Sequence, residues 1–382
     1  MFICKNCLKD KFLKDYLRDY PQKGKCIICR SESHTVTDIE AEEFQNLFKA
    51  VVRYHYAEYH YNNHWGGAFG IEGILLNENA IIEHRFHDEG DSDLLYTLLP
   101  KDVYARDGNG VSLYYGFDEY IRGLFTTSLQ KENSKMISTF EKELNEKNHY
   151  VVEEKAKSLL EPLASQIENK ISIGKSFYRA RIGFEKRYAD LLNPEYDKIT
   201  YYYEPYREKN IQAPPPPKAS AGRLNRQGVS YLYLSSDIKT AVSEVRPHPG
   251  HLVSVGKFIL SREIRIADLE SINLRKFCTD DKIKEFIFLN SIGKKFSMPI
   301  TPEEREQYLI TQLFADTFRL LEFDGIRFKS SVSDGYNIVL FDANLCKYTN
   351  EESDVLLCEE VKYSIRGINE GVVFDKEDFE EY

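Results

Sequence analysis

A turn, a strand and a helix succeed one another over residues 222–244, and this stretch constrains the fold more than any other. It reads GRLNRQGVSYLYLSSDIKTAVSE. The aromatic and aliphatic run 229–234 is typical of a buried strand, and the Ser-Ser-Asp segment after it predicts the N-cap of a helix over 238–245. Glu244 ends the apolar side of that helix, where a buried carboxylate needs a partner or a task. We expect the stretch to bring four side chains close together: Arg223, Asn225, Tyr233 and Glu244.

Length and composition are those of a globular protein with more than one domain. The chain has 382 residues, of which 42% are hydrophobic and 29% charged, so it can bury a sizeable core and is not disordered. Its 61 acidic and 51 basic residues give a net charge of −10, which argues against general binding of nucleic acids. The sequence shows no apolar leader and no run of membrane-spanning length. We therefore expect a cytoplasmic protein without a membrane partner, in which seven cysteines bind metal more readily than they pair.

Four cysteines near the N-terminus form two CxxC pairs. The pairs are Cys4-Lys-Asn-Cys7 and Cys26-Ile-Ile-Cys29, and a two-residue gap lets both thiolates of a pair reach one tetrahedral Zn²⁺. Because four cysteine ligands fill the coordination shell, the sequence predicts a structural and not a catalytic zinc. We expect this zinc module, residues 1–37, to brace the domain that follows it.

Residues 38–165 are predicted to be mainly helical, since apolar residues recur at helical spacing from residue 39 onward. His60 and His64 are spaced to share a helix face and could pair on a metal. No third ligand stands beside them, so we interpret them as packing or surface histidines. Arg53 and His60 fall near the Arg…His spacing of HEPN ribonucleases, although a tyrosine follows Arg53 where that family usually has a polar residue. RNA cleavage by a HEPN-like middle domain is therefore an alternative function.

Four short segments in a fixed order give the chain a family resemblance. Phe-Tyr-Arg-Ala-Arg occupies 177–181, the turn–strand–helix stretch follows, and Phe-Asp-Gly-Ile-Arg at 323–327 precedes Ser330 and Asn-Ile-Val-Leu-Phe at 337–341. Over about residues 170–345 the sequence resembles the RES domain, which is named for its Arg, Glu and Ser. Such domains are best known as toxins of bacterial toxin–antitoxin pairs that destroy NAD. The resemblance thus implies an antitoxin or regulatory protein as a partner, although no residue of the sequence identifies it.

The resemblance implies an α+β protein built from successive parts. The small zinc module at 1–37 and a helical domain at 38–165 would precede a mixed α/β RES domain at 166–350, whose fold resembles those of ADP-ribosyltransferases. Residues 351–382 are expected to add a terminal strand pair and an acidic tail. The sequence leaves the oligomeric state open.

The resemblance also implies an enzyme that cleaves the nicotinamide–ribose bond of NAD, as a glycohydrolase or phosphorylase, and so depletes cellular NAD as a toxin or defence effector. It assigns Arg179 to the phosphates, Glu244 to the ribose hydroxyls and the developing cation, and Ser330 to a hydrogen bond near the phosphates or the acceptor. Tyr233 would position the nicotinamide side, and Arg223 could replace Arg179 as the principal phosphate ligand. The residues expected to bind NAD beside the three catalytic ones are Arg181, Arg223, Asn225, Tyr233 and Asn337.

Two further functions would use the same residues differently. An ADP-ribosyltransferase would pass the sugar to a protein side chain, so the acceptor is open among phosphate, water and protein. A zinc-bearing binding protein would carry an inactive RES region, which the presence of Arg179, Glu244 and Ser330 argues against. Release of nicotinamide from NAD separates the enzyme from both the binding protein and the ribonuclease.

Overall fold

The structure, a computed structural model, describes residues 1–57, 71–76, 80–83, 98, 127–190, 200–298 and 308–362. It confirms a mixed α/β protein with helices in its middle part and a mixed sheet in its C-terminal part. None of the described helices is long and apolar enough to cross a membrane. His60 and His64 lie outside the described residues.

Strands and helices alternate irregularly along the chain. The strands are β1 (Phe2–Cys4), β2 (Gln22–Lys25), β3 (Glu32–Asp38), β4 (Glu168–Ile171), β5 (Ser176–Ile182), β6 (Lys186–Asp190), β7 (Thr200–Glu204), β8 (Leu232–Ser235), β9 (Leu252–Leu260), β10 (Ile264–Asp268), β11 (Gly325–Lys329), β12 (Tyr336–Leu340) and β13 (Cys346–Leu357). The helices are α1 (Lys11–Asp19), α2 (Glu42–His55), α3 (Ile71–Leu76), α4 (Lys135–Glu146), α5 (His149–Leu160), α6 (Ala164–Ile167), α7 (Ile238–Glu244), α8 (Ile283–Ser297) and α9 (Tyr308–Leu320).

The N-terminal part is a three-stranded sheet in the order β1-β3-β2, with α1 and α2 packed together beside it. Asp10 caps α1 by accepting hydrogen bonds from the backbone amides of Phe12 and Leu13, which satisfies donors that a helix end leaves unpaired. The rings of Tyr16 on α1 and Phe44 on α2 meet edge to face at 5.8 Å. The module therefore rests on the helix that follows it.

One continuous hydrophobic core joins the N-terminal and C-terminal parts. It runs from Ile3 in β1 to Val339 in β12 and includes apolar residues of α2, α4, α5, α8 and α9. Two buried cations of α2 also reach across, because Lys49 and Arg53 both pair with Asp280, at 2.9 and 2.5 Å. The parts described in the sequence are thus in extensive contact, and their boundaries stay a prediction.

The large sheet has eight strands in the order β13-β9-β5-β8-β12-β11-β10-β4. Its described pairs are antiparallel except for β10 with β11. β5 pairs with β9 over all seven of its residues, but with β8 only where Tyr178 faces Ser235. The two halves of the sheet therefore meet at one residue pair, and β5 and β8 are not paired beyond it toward the turn before β8. We call this unpaired stretch the β5–β8 opening.

Several boundaries differ from those that the sequence predicts. The alternating residues of 171–182 predict one strand, but it is divided, because Gly174 adopts a φ of 85° in the turn between β4 and β5. The tyrosines and four consecutive prolines of 195–217 predict an extended loop, but this segment contains β7, which forms a separate hairpin with β6. The terminal strand pair expected within 351–382 stays a prediction, because residues 363–382 lie outside the described residues. Ahead of it, β13 pairs with β9 as one long strand.

Candidate functional site

The carboxylate of Glu244 lies at the centre of a hydrogen-bonded group. Its Oε1 accepts from the hydroxyl of Ser330 at 2.7 Å and from the amide nitrogen of Asn337 at 2.6 Å. The Asn337 side chain has a second partner, because the hydroxyl of Ser235 donates to its Oδ1 at 2.9 Å. Ser235, Ser330 and Asn337 are all buried. We call these four residues the Glu244 cluster.

Local structure explains why Glu244 and Ser330 meet. Asp237 caps α7 by accepting from the backbone amide of Thr240 at 2.8 Å, and Glu244 is the last residue of the helix. The loop after β11 starts at Ser330 and runs back along α7, where Thr240 donates to the hydroxyl of Ser333 at 3.0 Å. At Gly335 a Cβ would lie 2.5 Å from Asp237 Oδ2 and closer still to two hydroxyls. Only glycine lets the loop approach the helix so closely.

The turn before β8 is organised by Asn225 and Tyr233. The Asn225 amide nitrogen donates to three backbone carbonyls, at 2.9 to 3.2 Å, while its Oδ1 accepts from the Tyr233 hydroxyl at 2.7 Å. That hydroxyl also accepts from the amide of Leu224. Burial raises the pKa of the Tyr233 phenol, so it stays a neutral donor to Asn225. The polar atoms of both residues are therefore engaged in the turn, and only the Tyr233 ring remains to contact a ligand.

Arg179 places a cation at the β5–β8 opening. Its Nη1 donates to the carbonyl of Tyr233 at 2.9 Å, and among the described residues no carboxylate pairs with it. Burial lowers the pKa of this guanidinium, which nevertheless stays protonated at neutral pH. By strand alternation its side chain leaves β5 on the face of Phe177, whereas α7 packs on the face of Ala180. An unpaired, half-buried cation is suited to an anion.

The other two candidate arginines point elsewhere. Arg181 donates to the carbonyl of Asn210 at 2.6 Å and lies 4.8 Å from the centre of the Tyr206 ring. Arg223 donates to the carbonyl of Phe296 at 2.6 Å, in the last turn of α8, where a cation is favoured by the helix dipole. Both arginines thus have structural partners outside the Glu244 cluster.

The structure therefore divides the predicted site into two neighbouring sets. Glu244, Ser330 and Asn337 are in direct contact, while Arg179 joins the Asn225 turn through Tyr233. β8 connects the sets, since it carries Tyr233 and, two residues on, Ser235. Ser235 was not among the candidates, although its spacing from Tyr233 places both side chains on one face of the strand.

The four N-terminal cysteines have the geometry of a metal centre. Their sulfurs all lie within 4.8 Å of one another, and those of Cys4 and Cys29 are 3.7 Å apart. A tetrahedral zinc with bonds of about 2.3 Å places its sulfurs roughly 3.8 Å apart. Three of the four cysteines are buried, and Cys29 is partly exposed. The donor set fits a closed, structural zinc site.

The position of Arg53 argues against the ribonuclease alternative. Arg53 is wholly buried and paired with Asp280 of the C-terminal part. A side chain in that position braces two parts of the protein and does not reach a surface that could contact RNA. His60, its proposed partner, lies outside the described residues.

Comparison with known proteins identifies the C-terminal part. Residues 197–355 match the family model of the RES domain, a range that contains Glu244, Ser330, Asn337 and Arg223 but begins after Arg179. No curated protein matches the chain. A chain of the solved M. tuberculosis MbcT–MbcA toxin–antitoxin complex is similar at 9% identity, covering 52% of this chain and 92% of its own, with a TM-score of 0.29. That score is too low to establish a shared fold. The protein thus carries a RES domain, as the order of its sequence segments indicates.

Proposed function

We propose that the RES domain cleaves the nicotinamide–ribose bond of NAD and releases nicotinamide. The observation that carries the proposal is the anchored Glu244 carboxylate, whose Oε1 is held by two donors and whose Oε2 has no hydrogen bond to a described residue. Cleavage of a glycosidic bond passes through an oxocarbenium-like state. A fixed carboxylate stabilises that positive charge as it develops.

Arg179 supplies the second element of the proposal. Its guanidinium has one hydrogen-bond partner among the described residues, the Tyr233 carbonyl, and its remaining donors can bind the pyrophosphate. In NAD only one methylene separates the nicotinamide ribose from the pyrophosphate. Groups that bind the two parts must therefore be near neighbours. Arg179 donates to the Tyr233 carbonyl, and Ser235 of the Glu244 cluster follows two residues later on β8. In the proposal the guanidinium reaches past β8 from the Phe177 face to the face on which α7 packs.

In this proposal the protein acts as a toxin or defence effector that depletes NAD, and an antitoxin or regulatory protein restrains it. The zinc module braces the C-terminal part of the protein. Arg275 of the C-terminal part pairs with Asp19 of α1 at 2.7 Å and lies over the ring of Tyr16, also in α1. Zinc bound by the four cysteines would fix the segment that leads into α1. We assign it no step in the reaction.

The test is to incubate purified protein with NAD and to quantify nicotinamide. Parallel reactions with added phosphate, without phosphate and with bacterial protein distinguish phosphorolysis, hydrolysis and transfer to a side chain. Intact NAD under all three conditions, from folded and zinc-replete protein, would refute the enzyme proposal. Expression in bacteria, followed by measurement of cellular NAD, extends the test to conditions in which a cellular activator is present.

A further inference from the structure

We propose that Ser235 is a positioning residue, which sets the orientation of the Asn337 amide and through it the orientation of the Glu244 carboxylate. The inference rests on the proposed function and deepens it. It assigns Asn337 to the support of Glu244, in place of the direct contact with NAD that its sequence position suggests.

The backbone register brings the two residues together. Ser235 on β8 directly faces Asn337 on β12, and facing residues of an antiparallel pair share one side of the sheet with their Cβ atoms about 5 Å apart. Both side chains are buried, at 4% and 7% exposure. Water is therefore a poor substitute for either partner.

The direction of the hydrogen bonds follows from Glu244. An ionised carboxylate only accepts, so the group that Asn337 turns toward Oε1 must be its NH₂. The amide oxygen then faces Ser235, whose hydroxyl must donate to it. Without that hydroxyl Oδ1 of Asn337 loses its buried donor, and only the bond to Glu244 then fixes the orientation of the amide.

Ser235 is also held in place by the sheet itself. It is the residue at which β8 pairs with β5, opposite Tyr178. A chain of hydrogen bonds thus begins where the two halves of the sheet are joined, passes through Asn337 and ends on one oxygen of Glu244. The other oxygen is kept free for the sugar.

The experiment compares Ser235→Ala with Ser235→Thr, which restores a hydroxyl on a strand that accepts β-branched residues. Ser172→Ala in the exposed turn after β4 is the matched control. NAD turnover should fall about tenfold in the alanine variant, the factor that one hydrogen bond of ordinary strength supplies, while NAD affinity stays within about twofold. The threonine and control variants should retain most of the turnover.

A second readout does not depend on activity. The Asn337 side-chain amide resonances, assigned by their loss in Asn337→Asp, should shift in Ser235→Ala and keep their positions in Ser235→Thr. Unchanged amide resonances in Ser235→Ala overturn the positioning role, and so does an equal loss of NAD affinity and turnover, which would indicate direct contact. A wild-type protein that leaves NAD intact refutes the proposed function instead, and the amide resonances alone then decide the role of Ser235.

Discussion

The hydroxyl of Ser330 donates a 2.7 Å hydrogen bond to Oε1 of Glu244 across a sequence separation of 86 residues. The bond joins the loop after β11 to the C-terminal end of α7. Two of the residues that the sequence resemblance assigns to catalysis are therefore in direct contact, on elements that pack together along Gly335.

Glu244→Gln should lower NAD turnover by on the order of a hundredfold, with little change in NAD affinity. Glutamine keeps an oxygen that can accept from Ser330 and Asn337 but removes the negative charge that stabilises the cation. Turnover, NAD binding and thermal stability are measured together, with Glu263→Gln at an exposed position as the control. Near wild-type turnover in a folded Glu244→Gln protein would remove this carboxylate from the mechanism.

Arg179→Lys should raise the KM for NAD about tenfold or more, because lysine cannot reproduce the planar fork of an arginine on a pyrophosphate. Arg223→Lys should mainly lower the stability of the fold, since Arg223 already donates to the carbonyl of Phe296 at the end of α8. Steady-state kinetics and thermal melting of both variants separate these roles. The reverse pattern would make Arg223 the phosphate ligand.

The protein should contain one zinc per chain, bound by the four N-terminal cysteines. Cys26→Ser or a strong chelator should lower the Tm by on the order of 10 °C, because binding of a structural zinc contributes directly to folding free energy. Elemental analysis and thermal melting are the measurements, and Cys358→Ser, which is not part of the cluster, is the matched control. Freshly purified, reduced protein without zinc would contradict the prediction.

Gly335→Ala should separate the loop of Ser330 from α7. The added methyl group would collide with the side chains of Ser236, Asp237 and Thr240, at a cost of about 1–3 kcal/mol. We expect reduced turnover together with reduced stability, measured by kinetics and urea unfolding. Asp334→Ala changes the neighbouring, fully exposed residue and should affect neither quantity. A Gly335→Ala protein as active and as stable as wild type would show that the loop tolerates displacement.

Asp280→Asn should destabilise the protein by about 2 kcal/mol, because it removes the negative charge that pairs with the buried cations of Lys49 and Arg53. A fully enclosed pair would lose more, but Asp280 is 39% exposed and water screens it. Urea unfolding at neutral pH is the measurement, and Asp281→Asn at the adjacent exposed position is the control.

The same pair gives the stability a dependence on pH. Burial alone would raise the pKa of Asp280, but the Arg53 and Lys49 cations beside it lower the pKa overall. Its contribution should therefore be complete above pH ~4, the ordinary range of the unfolded carboxyl, and disappear as the pH falls through the lower value of the folded protein. Wild type and Asp280→Asn should then converge in stability in acid, and parallel curves would contradict the assignment.

Local chemistry explains which elements the sequence predicts well. The helix α7 agrees closely with the range 238–245 that the sequence predicts. The apolar runs at 252–260, 324–328 and 337–341 likewise predict β9, β11 and β12 to within one residue, because apolar runs and caps act over a few residues. The CxxC spacing of the four cysteines likewise predicts that their sulfurs converge on one point, as they do in the structure.

Strand pairing depends on tertiary contacts and was not predictable in the same way. Nothing in the sequence near Tyr178 indicates that β5 meets β8 at one residue only. Nor does the sequence show that the Tyr233 hydroxyl donates to Asn225 within the turn, or that the Ser235 hydroxyl donates to Asn337. Each of these facts depends on which strands become neighbours.

The central place of β12 has a consequence for protein synthesis. This strand lies between β8 and β11, and it carries Asn337, while Ser330 comes just before it in the chain. A ribosome that has translated the message through β11 has made Glu244 but neither of the residues that hold its carboxylate. The nascent chain therefore cannot assemble the site until most of the message has been read, and a message truncated before the codon for Ser330 encodes a protein with no assembled site.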